Sequence, residues 1–250
     1  MLLSTRDLTK SFGALIAVNR VNLGIREGEF AILVGPNGAG KTTFFDLITG
    51  RQEPTGGEIH YKGVNITALP PEKRVDMGIG RTFQISSIFP TLTVFDNITL
   101  AVQRKKVRGS RWFLSCADMN EEVAKATDDI IDQVGLSHER DQIAGNLPHG
   151  LKRNLEIGMA LANDPEFLLL DEPLSGLPTE EAIDLLNYVK NVLRKEYTIL
   201  MVEHKIDLIR DFSERIIVMH QGSIIADGPY SEIAQVALVE EAYLGRGVRG

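Results

Sequence analysis

Gly35-Pro-Asn-Gly-Ala-Gly-Lys-Thr42 is the stretch that decides how this chain folds. It satisfies the pattern GxxxxGK[ST] and follows the compact apolar run Phe30-Ala-Ile-Leu-Val34, which reads as a buried strand bounded by Gly28 and Gly35. From Thr42 to Ile48 the pattern turns helical, and the helix is expected to end at Gly50, before the turn-rich Glu53-Pro-Thr-Gly-Gly57. Strand, glycine loop and helix in that order make an anion site. Backbone N–H groups of the loop converge on phosphate oxygens at the positive end of the helix, and side chains at the glycine positions would block that approach. The expected phosphate-binding set is Gly35, Pro36, Asn37, Gly38, Ala39, Gly40, Lys41, Thr42 and Thr43. Within it Lys41 supplies a cation for the β- and γ-phosphates, and the Thr42 hydroxyl a ligand for Mg²⁺.

Further along, Asp171-Glu172 closes the run Phe167-Leu-Leu-Leu170 and so puts two carboxylates at the carboxyl end of a strand, where ligands of open α/β sheets collect. Alone, such a pair is most often a strand exit. Beside a phosphate loop, Asp171 fits the metal side of the site and Glu172 is the candidate general base for an attacking water. A helix with apolar Ile183, Leu185, Leu186, Val189, Val192 and Leu193 follows, then the strand Thr198 to Val202. Shorter strands are expected at 215–219 and 223–226, with a final helix from about Ser231. Between Thr93 and Asn146 the character is helical, with Val123, Ala126, Ile130, Ile131 and Val134 on one face. The fold class is therefore α/β, a mostly parallel sheet with helices on both faces.

Composition narrows the function. The formal net charge of -7, from 34 acidic and 27 basic residues, disfavours a nucleic-acid partner. No apolar run approaches the ~20 residues that span a bilayer, and the charged start of the chain predicts no export leader. Any membrane role must then come through a partner. The single cysteine, Cys116, cannot form an internal disulfide, which suits a reducing compartment, and it reads as an inert thiol. The basic run Arg104, Lys105, Lys106, Arg108 and Arg111 reads as a solvated loop.

With these elements in this order, the chain resembles the ATP-binding-cassette (ABC) ATPase family over nearly its whole length. The resemblance implies a P-loop NTPase core with an antiparallel β edge over residues 1–84 and 155–250, and a helical subdomain over 85–154. It also implies that ATP and Mg²⁺ are bound. By the family pattern Phe12 stacks on adenine, Gln84 in Arg-Thr-Phe-Gln links the metal and the water to the transporter interface, and His204 in Met-Val-Glu-His contacts the γ-phosphate. Without the family, Phe12 reads as a core aromatic, Gln84 as a polar loop residue and His204 as structural.

Two segments depart from the family pattern. Leu147-Pro-His-Gly-Leu151 stands where the family has Leu-Ser-Gly-Gly-Gln, so only Leu147 and Gly150 match. In the family this segment holds the γ-phosphate of ATP on the opposite subunit. Pro148 has no hydroxyl for that contact, but a helix beginning near Leu151 still offers its positive end, with His149 beside it. Likewise Pro178 replaces a carboxylate after Glu172, and Thr179 is expected to cap the following helix. The segments 77–84, 92–97 and 242–245 look most like branched-chain amino acid or urea uptake systems. That similarity implies transmembrane permease subunits, a second and non-identical ATP-binding subunit, an external solute-binding protein, and a peripheral position on the cytoplasmic face of the inner (plasma) membrane. A soluble non-transport ATPase of the family would carry two linked cassettes or a long coiled coil, and neither stands in the sequence. A weakly hydrolysing regulatory subunit is suggested by Pro148 and Pro178, and opposed by Glu172 and His204.

Overall fold

The apolar residues near the amino terminus divide between two sheets. Strands β1 (Leu3–Phe12), β2 (Leu15–Val21) and β3 (Gly24–Ile25) fold on one another, whereas β4 (Phe30–Val34) leaves them for a second sheet. In the computed structural model, which describes residues 1–82, 88–108, 116–204, 206–236 and 239, the side chains of 105–108, 116–120 and 207 are outside the description. Gln84, Arg111 and the segment 242–245 therefore lie outside the described residues, as does the side chain of Cys116.

After helix α1 (Lys41–Thr49), strands β5 (Gly56–Tyr61) and β6 (Val64–Asn65) complete an antiparallel sheet ordered β2-β1-β5-β6, with β3 also on β1. Helix α2 (Pro71–Asp76) leads into β7 (Ile79–Arg81), and helices α3 (Val94–Arg108), α4 (Cys116–Gln133) and α5 (His149–Leu161) precede β8 (Phe167–Asp171). Then come α6 (Thr179–Asn191), β9 (Thr198–Glu203), α7 (Ile206–Ile209), β10 (Arg215–His220), β11 (Ser223–Gly228) and α8 (Tyr230–Ile233). The main sheet runs β11-β10-β4-β9-β8-β7, parallel throughout except for β11 at its edge.

Strand β4 is buried along its whole length because both faces of the sheet are covered. Side chains alternate: Ile32, Val34, Leu168, Leu170, Ile199 and Met201 join the core that holds α5 and α6. Ala31, Leu33, Leu169, Leu200 and Val202 join the core built by Phe44, Phe45, Leu47 and Ile48 of α1 and by the antiparallel sheet. The phosphate loop thus emerges from the centre of the molecule.

The helical region is pinned by a buried asparagine. Asn97 is fully buried, and its amide donates to the carbonyls of Phe89 and Thr93 while accepting from Phe89 N–H. Thr93 and Asp96 hydrogen-bond reciprocally at the start of α3, the pattern of a capping box. Helix α5 runs through residue 154, where the sequence suggests a boundary between helical segment and core.

Among the described residues four helices begin on a proline. Pro70, Pro148, Pro178 and Pro229 precede α2, α5, α6 and α8 with φ from -54 to -70° and ψ from 154 to 160°. The ring presets φ, and the proline carbonyl accepts the first helical hydrogen bond, as Pro148 does from Lys152 and Pro178 from Ala182. This corrects two expectations. Thr179 is the first helical residue rather than the cap, and α5 begins at His149 rather than near Leu151. The start of the basic run is also helical, since α3 continues to Arg108, and the expected solvated loop is displaced by helix at Arg104.

Arg74 ties α2 to the end of α1. Its guanidinium is buried and donates to the carbonyls of Leu47 and Ile48 at 2.6 and 2.8 Å, and to those of Leu69 and Thr67 at 2.9 Å each. Burial pulls its pKa down to about 10, so it stays charged at neutral pH, next to the negative end of α1. Arg74→Met leaves these carbonyls short of donors and is expected to lower unfolding free energy by about 3 kcal/mol or more. Urea unfolding measures this, and a midpoint equal to that of the unsubstituted chain would show the clasp to be dispensable.

Candidate active site

Two glycines let the loop close against its surroundings. A Cβ on Gly35 would lie 2.3 Å from the Met219 carbonyl oxygen, and one on Gly40 would lie 2.2 Å from that of Ala17. Gly40 also has φ 104°, where L side chains are strained, and it occupies the cap position of α1. The first helical bond runs from Phe44 N–H to the Gly40 carbonyl at 2.8 Å, so the amides ahead of it face the loop.

Lys41 is buried and its Nζ donates to the Gly35 and Pro36 carbonyls at 2.6 and 3.1 Å. Burial pulls its ammonium below the usual lysine range, while the carboxylates of Glu172, Glu203 and Asp171 push the other way. One cation thus faces three acids from the ends of β8 and β9. Thr42 is exposed and Thr43 half-buried, and both line the pocket beside the loop.

That pocket has a volume of about 520 Å³. Its polar wall is the loop from Asn37 to Thr43 together with Glu172, and its apolar wall comes from the β1–β2 hairpin, with Phe12, Leu15, Ile16 and Ala17. Phe12 is 48% exposed and its ring stands 5.1 Å from the Lys10 ammonium. The reading of Phe12 as a core aromatic is thereby corrected, because the hairpin projects it away from the core. Leu15, Ile16 and Gln221 also line the pocket; the sequence reading omitted them, since nothing in a hairpin's composition says what it faces.

Asp171 ends β8 fully buried. Its Oδ2 accepts from Arg81 at 2.6 Å, and its Oδ1 is buried with no hydrogen-bond partner. Burial pushes the carboxyl above the usual range, opposed by the Arg81 guanidinium. An orphaned carboxylate oxygen of this kind suits a hard cation. Among the described residues no group of three or more His, Cys, Asp or Glu side chains is placed to hold a metal. A cation here would therefore rest on Asp171, a hydroxyl such as that of Thr42, and phosphate oxygens, a donor set that fits Mg²⁺. Glu172, the next residue, has φ 48°, a left-handed backbone unusual outside glycine, and its N–H donates to the Val202 carbonyl at 3.0 Å. Strain of this kind gathers at functional sites.

The remaining candidates stand farther out. His204 follows β9 with its side chain about one-third exposed and Nδ1 3.9 Å from Glu203 Oε2, and it does not line the pocket. The segment Leu147 to Gly150 is also apart from the loop. Pro148 and Gly150 border a separate cavity with Glu181 and Tyr188, and a Cβ on Gly150 would meet the Glu181 carboxylate at 2.7 Å. Sequence reasoning also passed over Arg81 and Glu203. Arg81 heads the quoted Arg-Thr-Phe-Gln stretch, and Glu203 is buried with Oε1 accepting from Leu174 N–H at 2.9 Å.

A phosphate loop leaving the central strand of a parallel sheet, an acidic pair on the strand two places away and a helical insertion between them define an ATP-binding cassette. The chain belongs to the ABC transporter family, which matches residues 18–175. It is 37% identical over 98% of both chains to the high-affinity branched-chain amino acid transport ATP-binding protein LivG of Salmonella typhimurium, and 36% identical over 98% of both to BraF of Pseudomonas aeruginosa. Among solved structures, it is similar to the ADP conformation of an ATP-binding cassette of an ABC transporter at 30% identity and TM-score 0.84, over 98% of each chain. A nucleotide-free cassette matches at 30% identity and TM-score 0.83, over 97% of this chain and 98% of that one. The chain is accordingly an ATP-binding subunit of an ABC importer that hydrolyses ATP to drive transport.

Lys41→Ala removes the buried cation that anchors the loop to its own carbonyls. ATP binding and hydrolysis are both expected to be lost. Equilibrium binding of a fluorescent ATP analogue tests this, and an affinity close to that of the unsubstituted chain would remove Lys41 from the site.

Proposed function

We propose that this chain powers uptake of branched-chain amino acids or close chemical relatives, together with permease subunits, a second and non-identical ATP-binding subunit and, indirectly, a solute-binding protein. It works as a peripheral subunit on the cytoplasmic face of the inner membrane. The identity to LivG and BraF over nearly the whole length supports the transport type. Among the described residues no helix is long and apolar enough to cross a membrane, so passage of the solute belongs to the partners. The helical segment over 85–154 is the part through which the α/β core over 1–84 and 155–250 acts on them.

The observation that carries the chemical reading is one pocket with Lys41 and Glu172 on its polar wall and exposed Phe12 on its apolar wall. In this reading adenine stacks on Phe12, the loop from Gly35 to Gly40 with Thr43 receives the phosphates, and Lys41 neutralises the γ-phosphate. Asp171, Thr42 and Gln84 would hold Mg²⁺, which when bound would offset the negative charge of the phosphates. Glu172 accepts a proton from water as its oxygen attacks the γ-phosphorus, the bond to the bridging oxygen breaks, and ADP and phosphate leave. His204 contacts the γ-phosphate. Leu147, Pro148, His149 and Gly150 complete the ATP site of the partner subunit, by backbone amides at the start of α5.

Glu172→Gln is the direct test. In the assembled transporter it is expected to keep ATP binding while slowing hydrolysis by roughly 10²–10⁴-fold, with uptake of labelled leucine falling in step. Unchanged turnover moves the base elsewhere, and leucine uptake that never depended on this subunit rejects the solute class.

The partner's site is expected to be the weaker of the two, since Pro148 offers no hydroxyl to phosphate, a contact worth roughly 1.5–3 kcal/mol when charge-assisted. Pro148→Ser is expected to raise turnover of the assembled complex several-fold. A loss of turnover would show instead that the fixed φ of proline is what this turn requires.

A further inference from the structure

Arg81 ends β7, and its guanidinium joins two acids from different elements. Nη2 donates to Asp171 Oδ2 at 2.6 Å, and Nη1 donates to Asp46 Oδ1 on α1 at 2.6 Å and to Thr49 Oγ1 at 3.3 Å. The guanidinium carbon stands 5.5 Å from the centre of the Phe45 ring. The arginine side chain is 6% exposed and the Asp171 side chain 0%. The next residue holds the backbone of the same aspartate, for Asp171 N–H donates to Thr82 Oγ1 at 3.2 Å while Thr82 N–H donates to the Leu169 carbonyl at 2.9 Å. Residues 81 and 82 therefore grip Asp171 at both its carboxylate and its amide.

The grip is one-sided. It engages Oδ2 and leaves Oδ1 buried without a hydrogen-bond partner. A carboxylate free to rotate would present either oxygen, or both, to a cation, whereas one with Oδ2 fixed presents a single oxygen in a single direction. Because Asp46 lies on the helix that the phosphate loop opens, the same guanidinium also fixes the distance between that helix and the acidic end of β8. We propose that Arg81 is a positioning residue that aims Asp171 Oδ1 at the cation side of the phosphate site and locks that aim to α1. The inference rests on the reading of Asp171 as a metal-side ligand given above. An arginine that acted only as a neighbouring charge would have the opposite effect on a divalent cation, repelling it, so the sign of the outcome separates the two roles.

The test is a titration of Mn²⁺ into the full chain with bound ADP, followed by electron paramagnetic resonance, alongside ADP affinity in EDTA. Arg81→Gln is expected to weaken Mn²⁺ binding by about 10–100-fold, the usual loss when a partner orienting a metal ligand is removed, with metal-free ADP affinity unchanged. Arg81→Lys, which reaches only one carboxylate, is expected to fall between. Asp46→Asn, which leaves Asp171 paired but frees the outer end of the clamp, is expected to shift Mn²⁺ affinity in the same direction by less. Mn²⁺ affinity that is unchanged or tighter in Arg81→Gln overturns the proposal, as does an equal loss of ADP affinity in EDTA, which would mark a packing role. Should Arg81→Gln fail to unfold cooperatively, Arg81→Lys and Asp46→Asn carry the decision, and unaltered Mn²⁺ affinity in both overturns it. Asp171→Asn separates the two levels of inference: if it leaves Mn²⁺ binding intact, the metal-side reading of Asp171 fails. If it weakens binding where Arg81→Gln does not, only the positioning role fails.

Discussion

Backbone packed on backbone at Gly35 and Gly40 is the constraint from which the rest of the structure follows. The Met219 carbonyl at the end of β10 and the Ala17 carbonyl of the β1–β2 hairpin stand where side chains on these residues would be. The loop is thus wedged between the main sheet and the antiparallel sheet, and the Gly222 N–H donates to the Ala39 carbonyl at 2.9 Å to close it from the third side. An anion-binding loop needs its amides fixed before the ligand arrives, because ordering them on binding would cost roughly 1–2 kcal/mol per residue. Wedging removes that cost. It also explains why an aromatic-tipped hairpin far from the loop in sequence forms the other wall of the same pocket: the hairpin that braces the loop carries Phe12 at its turn.

Charge balance inside the site rests on the same geometry. Lys41 and Arg81 are the cations, and Asp46, Asp171, Glu172 and Glu203 the acids, which leaves the cluster net negative while the site is built to receive phosphates. The disposition resolves the conflict. Lys41 stands on the phosphate side with its Nζ on loop carbonyls, Arg81 draws Asp171 back toward the base of α1, and the oxygen left over is the one suited to a cation. Arg81 also forms part of the wall of a cavity of about 490 Å³ beside α2, α3 and α5, so the side chain that holds Asp171 borders that cavity as well.

The phosphate loop, its flanking strand and helix, and the acidic pair on β8 were legible because each is written in consecutive residues with a local physical meaning. A five-residue apolar run reads as a buried strand whatever surrounds it, and helices alternating with strands imply a mostly parallel sheet, while the order of the strands within it leaves no such trace. Helix α2, strand β7 and the clasps of Arg74 and Arg81 were not legible. Arg74 bonds to carbonyls 26 and 27 residues away, and Arg81 to a carboxylate 90 residues away, so neither leaves a periodic trace. Both arginines look like ordinary surface charges until the fold buries them. The Thr179 expectation failed for a different reason, since cap preferences rank Thr well above residues without a side-chain acceptor, yet a proline one position earlier had already fixed the turn.

That proline geometry bears on how the chain departs from its family. Pro148 and Pro178 replace a hydroxyl and a carboxylate at two positions that face a partner subunit in the family pattern, and both have the same φ and ψ within 4° as caps of α5 and α6. Residues with a side-chain acceptor start helices from this same extended backbone, so proline keeps the direction of each helix while deleting one polar group. What survives the replacement is the set of amides at the start of α5, where Gly150 lies so close to the Glu181 carboxylate that a Cβ there would meet it at 2.7 Å. An interface built in this way retains the field of a helix end and loses a directional bond. If, as proposed, this chain pairs with a different ATP-binding subunit, the two composite sites are unequal, with the stronger chemistry on the side where Glu172 meets ATP held by its own loop.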